Sequence, residues 1–334
     1  MPAHNLTTAS EHFYPTVALN ALLRVLRDPS MTSHHHMVVR SIMYIFQALG
    51  LNCVQYLPAV MPVVMQVMHT CEVGAAQREG GPAPRVDTTS PHACFQLLKL
   101  KHDKLLSNLA CLGLKCAVRH YSWDGLREFM LAQLTALVAI IRGHVRRYLD
   151  DILGIIRTFW GPNLLLRQML RLCEELATAL HDEFRAHLPD LLPRMIAVLS
   201  DSERSGNFSA VPSVLHALEA FGCAVDEHLH LMLPALVRLF RPGVAPVPQH
   251  IRATVMRSLA TLLPRMQLAG HASAVVHPLT RVLDGPVKEL RRDAMLALTS
   301  LAYALGQDFL LFLPLVQRTM EKRVRPPLPW CDLV

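Results

Sequence analysis

The sequence predicts an all-α protein, built as an α-solenoid of about six stacked helix pairs. Composition is the first observation: 51% of the 334 residues are hydrophobic, but only 6% are aromatic and 18% charged. This balance supplies a sizeable core and favours packed helices over aromatic-rich sheets. The second observation is a short motif that returns along the chain, which indicates an array of small units.

The repeated motif is a helix-ending residue followed about eight positions later by the start of another helix. The pairs are Gly50 with Pro58, Gly143 with Asp150, His181 (in the glycine's place) with Pro189, Gly222 with His230, Gly270 with Pro278, and Gly306 with Pro314. By subtraction, the second members lie 92, 39, 41, 48 and 36 residues apart. Apart from the first, these intervals lie near the period of two-helix solenoid repeats, roughly 40 to 47 residues.

The segment Val275–Gly306 shows the predicted unit most clearly. Pro278 is expected in the first turn of one helix, where its missing N–H costs nothing, and Asp284 with the following Gly-Pro ends that helix. A second helix should carry one inward stripe, formed by Leu290, Ala294, Leu298, Leu301 and Leu305. Because neither helix can bury its stripe alone, neighbouring pairs must stack.

This unit resembles the HEAT-repeat pattern: a proline-led helix, an Asp in the turn, and a Leu-Arg or Val-Arg pair that opens the second helix. Asp284 with Arg291, and Asp28 with Arg40, are similar to that pattern. The resemblance implies that these Asp and Arg side chains link adjacent repeats and do not catalyse. The full set of predicted structural positions is Asp28, Arg40, Gly50, Pro58, Pro189, Pro234, Pro278, Asp284, Arg291, Gly306 and Pro314.

Three consecutive histidines, His34, His35 and His36, precede the second helix of the first unit. The turn from Asp28 to Val39 is 11 residues long, five more than the 6 from Asp284 to Leu290, and the histidines fill the added length. Adjacent helical residues point in different directions, so the three rings cannot converge on one ion. A solvated turn is predicted, with metal binding as the alternative.

A more specific resemblance covers about three quarters of the chain. The segments "YPTVALNALLRVLRDPS", "IFQALGLNCVQYLPAVMP", "LREFMLAQLTALVAIIRGHVRRYLDDI", "FRAHLPDLLPRMIAVL" and "LGQDFLLFLPLVQRTM" occur in this order. They resemble the middle HEAT region of the target of rapamycin (TOR) serine/threonine kinases. The resemblance predicts HEAT repeats in residues 1–72 and again in residues 124–320.

The resemblance implies a scaffold segment of a kinase that acts in nutrient and growth signalling. Its expected partners are the rest of a TOR kinase chain, a Raptor-like subunit and a second copy in a dimer. The expected location is the cytoplasm, with association to endomembranes (lysosome or vacuole) or the nucleus through the parent complex.

Two segments depart from the TOR pattern. Removing the 51 residues Val73–Trp123 changes the first interval from 92 to 41, so both the period and the resemblance indicate an insertion. Its first part is a Gly/Pro-rich loop, and Ala93–His120 has a helical apolar pattern. A partial extra helix, an alternative exon and a translated intron all remain open. The tail, residues 321–334, carries three prolines that prevent a helix, and Cys331 forms a poor prenylation motif.

The sequence contains no Gly-rich phosphate loop, metal-binding kinase motif or catalytic-loop pattern, so no catalysis and no cofactor are expected. His102-Asp103 and His181-Asp182 are sequence neighbours, which does not indicate a catalytic pair. Eight cysteines without a CxxC pair predict reduced intracellular thiols and no zinc site.

Ser41–Cys71 contains no charged residue, but its prolines and glycine favour two buried helices over a membrane span. The N-terminus lacks the pattern of a secretion signal.

The net charge of +7 supports a different class of function, a free-standing HEAT protein that transports cargo or binds an acidic partner or nucleic acid. The basic clusters are Arg142–Arg147, Lys288–Arg292 and Glu321–Arg325. They contain no interleaved aromatic residues for base stacking, so nucleic acid is not the favoured partner.

Overall fold

The computed structural model describes residues 12–76, 123–161, 165–241, 246–268 and 270–324. Within these ranges every regular element is an α-helix or a 3-10 helix, and none is a strand. The all-α prediction is therefore confirmed. Most of the predicted insertion and tail lies outside the described residues, although helices continue to Ala76 and Val324, four residues into each.

Contacts between Cα atoms divide the chain into two compact units. The first comprises Met1–Ile42 with Tyr56–Met130, and the second comprises Met43–Gln55 with Leu131–Val334.

The first unit contains helices α1 (Phe13–Arg27) and α3 (Leu57–Ala76), which pack against each other. Helix α2 (His35–Leu49) lies between them in the chain and is shared by both units. The inward face of α1 carries Leu19, Leu23 and Leu26, all at most 4% exposed, at the three- and four-residue spacing of an amphipathic helix.

The second unit contains ten further helices, the first of which begins in the first unit. They are α4 (Trp123–Ile141), α5 (Leu149–Phe159), α6 (Leu166–Leu180), α7 (Leu188–Ser205), α8 (Val211–Phe221), α9 (Leu229–Phe240), α10 (Gln249–Leu262), α11 (Ala272–Leu283), α12 (Lys288–Leu305) and α13 (Leu313–Val324).

These helices form two layers. Helices α6, α8, α10 and α12 pack side by side in one layer, and α7, α9, α11 and α13 pack side by side in the other. Each antiparallel pair, such as α9 with α10 or α11 with α12, adds one helix to each layer. The arrangement is the α-solenoid that the sequence predicts, and its core is the leucine-rich space between the layers.

A short 3-10 connection with a constant register leads from one pair to the next. The connections are Gly50–Tyr56, Arg142–Tyr148, His181–His187, Gly222–His228 and Gly306–Leu311. In each, the first residue has a positive φ, between 47° and 55°. A leucine seven positions later, such as Leu188 or Leu229, lies in or directly before the first turn of the next helix. His181 therefore takes the place of a glycine, as the sequence predicts.

In one copy of the repeated motif, the helix-ending residue lies one position before the predicted glycine. The positive φ that begins the second copy of the motif belongs to Arg142 (φ 47°), and Gly143 is not among the residues with positive φ. The spacing from Arg142 to Asp150 is then eight, in agreement with the other copies. The sequence analysis assigned this position to Gly143, because glycine is the residue that most readily adopts a positive φ.

Pro278 does not lie in a first helical turn, contrary to the prediction. Helix α11 begins at Ala272, so Pro278 is an interior residue. Pro234 likewise lies inside α9. In contrast, Pro58, Pro189 and Pro314 each occupy the second position of their helices, where a missing N–H costs nothing.

By length and composition alone, three stretches could cross a membrane: Pro29–His69, Gly125–Phe159 and Lys288–Leu311. Each is apolar partly because it supplies core residues; 44%, 39% and 22% of their most apolar windows are buried. The structure places α2 and α3, joined by a 3-10 connection, over most of Ser41–Cys71, which agrees with the two predicted helices.

Candidate interaction surface

Polar side chains link consecutive repeats of the second unit. Arg146 donates from Nε to Glu183 Oε2 at 2.6 Å, and both residues lie in 3-10 connections. Arg157 of α5 donates from Nε to Asp190 Oδ2 of α7 at 2.7 Å. The partners are 37 and 33 residues apart, close to one repeat, so these pairs hold the register of neighbouring repeats.

Asp190 is the centre of a small ionic group. Arg194 Nε lies 3.5 Å from Asp190 Oδ1, the carboxylate oxygen that Arg157 does not contact. The hydrogen bond from Arg157 holds the pKa of the Asp190 carboxyl below its usual range. The side chain is 39% exposed, so solvent screens the pair and its contribution is about 0.2 to 1 kcal/mol.

Two other links use carboxylates that are nearly buried. Arg238 of α9 donates from Nη2 to Glu203 Oε2 of α7 at 2.5 Å, and the Glu203 side chain is 11% exposed. His216 Nδ1 of α8 lies 3.0 Å from Glu174 Oε1 of α6, and the Glu174 side chain is 16% exposed. Links therefore occur in both layers of the solenoid.

The Asp and Arg residues of the HEAT pattern lie directly after one helix or in the first two turns of the next. The Asp28 carboxylate accepts hydrogen bonds from Ser30 N at 2.9 Å and Ser30 Oγ at 2.6 Å, which lower its pKa. Arg40 is exposed within α2, five residues after the helix begins. Asp284 ends α11, and Arg291 lies near the start of α12. A link between repeats through these residues stays a prediction.

Arg252 was missed by the sequence analysis. Its guanidinium donates from Nε and Nη2 to Phe240 O, at 3.2 and 3.0 Å, and therefore binds the last carbonyl of α9. A cation is favoured at a helix C-terminus, although burial lowers the pKa of this guanidinium. The signal was available, because Ile251-Arg252 matches the apolar-Arg pair Leu290-Arg291.

The histidine triplet is not a solvated turn throughout. His34 is exposed, but His35 is only 6% exposed, and its Nε2 lies 3.4 Å from Asp28 O near the end of α1. The His36 ring contacts Phe129 edge to face at 6.3 Å. The solvated-turn prediction was wrong for His35 because α2 begins at this residue, which brings its ring inward.

The described residues contain no group of three or more His, Cys, Asp or Glu side chains suited to a metal ion. Cys53 and Cys173 are buried thiols, and burial raises the pKa of Cys173 to about 12, which makes it a poor nucleophile. His181 and Asp182 are both exposed on a connection. His102 and Asp103 lie outside the described residues.

Exposed apolar side chains concentrate on the last connection and the helix before it. Leu296 and Tyr303 on α12 are 50% and 82% exposed, and Leu310 and Leu311 on the following connection are 63% and 82% exposed. Corresponding positions of an earlier connection carry Arg146-Arg147. A concentration of large exposed apolar side chains is typical of a protein contact surface.

Basic side chains form a second exposed group. Arg142, His144, Arg146 and Arg147 are all exposed on one connection, where Arg146 is already engaged by Glu183. Lys288 and Arg292 are exposed at the start of α12. The third predicted cluster extends beyond the described residues.

The fold and these surfaces define the class of protein: a HEAT-type α-solenoid with polar links between repeats and exposed apolar and basic faces. A crystal structure of importin beta has a similar fold, with a TM-score of 0.56 over 94% of this chain and 36% of the importin chain. At 11% sequence identity this likeness concerns the fold alone.

Sequence relatives are more specific. A family described as the serine/threonine-protein kinase mTOR domain matches residues 1–79. The serine/threonine-protein kinase TOR of Arabidopsis thaliana is 38% identical over 94% of this chain, and that of Oryza sativa subsp. japonica is 36% identical over 98%. The kinase mTor of Drosophila melanogaster is 32% identical over 95%.

The chain is thus a segment of the TOR serine/threonine-protein kinases, distinct from their kinase domain. It spans 11% to 12% of the length of these relatives.

Proposed function

We propose that the chain is a scaffold segment of a TOR-type kinase, which holds other protein parts in position and carries out no catalysis. The similarity to TOR kinases over 94% of the chain is the observation that carries this proposal. The α-solenoid supports it, because stacked repeats present extended surfaces to other proteins. Through the parent complex, the chain would act in nutrient and growth signalling.

The proposed partners are the rest of a TOR chain, a Raptor-like subunit and a second copy in a dimer. The exposed Tyr303, Leu310 and Leu311 support protein contacts, because large apolar side chains gain free energy when a partner covers them. We place the chain in the cytoplasm, not across a membrane, with recruitment to endomembranes or the nucleus through the complex.

An affinity pull-down tests the scaffold role. The tagged 334-residue chain is expressed in cells that contain a TOR kinase, and co-purified kinase and Raptor-like subunit are quantified by mass spectrometry. We expect both to be recovered, and the pair Tyr303→Ser and Leu311→Ser to reduce recovery several-fold. Leu51→Ser, at another connection leucine that is 56% exposed, is the matched control and should recover both partners as the wild type does.

Recovery of neither partner with the wild-type chain would contradict the scaffold proposal. A phosphotransfer assay with the purified chain, ATP and a serine-containing peptide tests the proposal that the chain carries out no catalysis. Incorporation of phosphate above a no-protein blank would contradict the absence of catalysis.

Binding of an acidic partner or nucleic acid is a second candidate function. The observation in its favour is the exposure of Arg142 and Arg147, for which the described residues provide no recorded ion-pair partner. A single-stranded oligonucleotide should bind weakly, and its affinity should fall steeply with salt if phosphates are the contact. Affinity that is unchanged between low and high salt would exclude phosphate recognition by this cluster.

A further inference from the structure

A cleft of about 220 Å³ lies between α11 and α13, two neighbours in one layer of the solenoid. From α11 and its end, His277, Thr280, Arg281 and Asp284 line it, and from α13, Leu315 and Thr319. His277 and Arg281 are exposed, whereas Thr280 and Thr319 are 6% and 7% exposed. The cleft therefore has an apolar and hydroxyl floor, and its edge carries the Arg281 guanidinium, the His277 ring and the Asp284 carboxylate.

An earlier helix of the same layer, α7, carries an ionic group at the positions that correspond to Leu315 and Thr319 of α13. Asp190 is the third residue of α7, where it binds Arg157 of the neighbouring helix, and Arg194 is the seventh. In α13 the third and seventh residues are Leu315 and Thr319.

Leu315 of α13 therefore occupies the position that corresponds to Asp190 of α7. Arg281 lines the same cleft as Leu315, and the described residues show no ion pair of its guanidinium.

We propose that this cleft binds a carboxylate side chain, Asp or Glu, from an acidic segment of a partner protein. The incoming carboxylate would lie beside Leu315, the counterpart of Asp190, and would bind Arg281. The inference rests on the proposed scaffold function and names the chemistry of one partner contact.

Arg281 is the principal recognition group. A guanidinium matches a carboxylate with two parallel N–H donors, and such charged hydrogen bonds are roughly twice as strong as neutral ones. Thr280 Oγ1 and Thr319 Oγ1 already donate to His277 O and Leu315 O, each at 2.9 Å, so they shape the floor and leave recognition to Arg281. Asp284 at the rim opposes a second negative charge.

The probe is a fluorescein-labelled peptide of repeated Glu and Ala, with a Gln-for-Glu peptide as its neutral match. Fluorescence anisotropy at low salt measures its affinity for the full chain. We expect Arg281→Gln to weaken binding about tenfold, which corresponds to about 1.4 kcal/mol. Leu315→Asp should weaken it similarly, because the new carboxylate occupies Arg281 from within the protein.

Two further variants sharpen the result. Arg257→Gln removes the same charge from an exposed position of α10 and should change the affinity less than twofold. Asp284→Asn should strengthen binding by removing the opposing charge. Circular dichroism of each variant establishes that it is folded.

Binding of the Gln peptide as tightly as the Glu peptide, or equal losses in Arg281→Gln and Arg257→Gln, would overturn the proposal and indicate a diffuse basic surface. Unchanged binding in a folded Leu315→Asp variant would also overturn it. These results leave the scaffold role standing if the pull-down succeeds. Failure of the pull-down with intact peptide binding would overturn the scaffold role alone.

Discussion

His181 and Gly222 share one backbone conformation: φ is 50° and ψ −121° at His181, and φ is 55° and ψ −128° at Gly222. Each residue ends a helix of the same layer and begins a 3-10 connection. Glycine adopts this conformation readily, whereas the Cβ of another residue adds strain of roughly 1 to 3 kcal/mol. The repeat geometry therefore overrides the local preference of His181.

Replacing His181 by Gly should raise the free energy of unfolding by about 1 kcal/mol, because the strain disappears. The side chain is exposed, so little contact is lost. Urea unfolding followed by circular dichroism measures the change. Arg142→Gly, at the other non-glycine residue with positive φ, should act in the same direction.

His187→Gly is the matched control for that prediction, because His187 lies in the same connection but has a φ of −101°. Here glycine should lower the free energy of unfolding by about 0.5 to 1 kcal/mol through its greater freedom in the unfolded chain. Equal effects of His181→Gly and His187→Gly would show that backbone strain at His181 is negligible.

Arg252→Met should lower the free energy of unfolding by about 1 to 3 kcal/mol. The substitution keeps much of the apolar stem but removes the two N–H groups, Nε and Nη2, that donate to Phe240 O. Arg257→Met, on the same helix, removes an exposed guanidinium and should change stability by less than about 0.5 kcal/mol. Thermal and urea unfolding of both variants check the difference, and similar stability of the two would refute the capping role.

A double-mutant cycle should measure the link between Arg157 and Asp190. Arg157→Gln and Asp190→Asn, alone and combined, should give a coupling energy of about 0.2 to 1 kcal/mol at neutral pH and low salt. The folded-state pKa of Asp190 is lowered. Its stabilisation is therefore present above the unfolded pKa of about 3.9 and is lost as the pH falls through the folded pKa.

The coupling between Arg157 and Asp190 should also weaken in high salt, since the pair is exposed. Coupling that persists unchanged at high salt would contradict an exposed ionic link and point to packing between the two stems.

Sequence periodicity was sufficient for the fold because each repeat depends mainly on its own apolar stripe and its neighbours. The helix boundaries were less predictable. Pro278 resembles a helix-start proline, yet the contacts of α11 extend the helix to Ala272 in spite of it. Arg142 escaped notice because nothing in an arginine's chemistry signals a positive φ, which the repeat imposes from outside.

The candidate surface was less predictable than the fold. The link of Arg157 to Asp190 depends on which faces of two helices meet, which a single helix pattern does not determine. The burial of His35 depends on the first residue of α2, which lies four residues before the predicted start at Val39, and this shift moves the His35 ring from solvent to the end of α1. Exposed leucines such as Leu311 look like core residues in the sequence alone.

His35 makes the first repeat sensitive to pH. Its Nε2 lies 3.4 Å from Asp28 O, and burial lowers the pKa of the ring, opposed by the nearby carbonyls and the Asp28 carboxylate and reinforced by His34. The folded protein therefore binds the proton less readily than the unfolded chain. Stability is greatest above the unfolded pKa of about 6.5 and is lost as the pH falls from there toward the folded pKa.

The free energy of unfolding should therefore decrease from pH 7.5 to 5.5, with a slope of at most about 1.4 kcal/mol per pH unit for this one proton. Burial also lowers the pKa of His36, which adds to the same trend. His35→Gln should reduce the slope, whereas His34→Gln, at an exposed position, should preserve most of it. Urea unfolding at several pH values measures all three proteins. A His35→Gln variant with the wild-type slope would assign the pH dependence to other groups and leave His35 as a neutral packing residue.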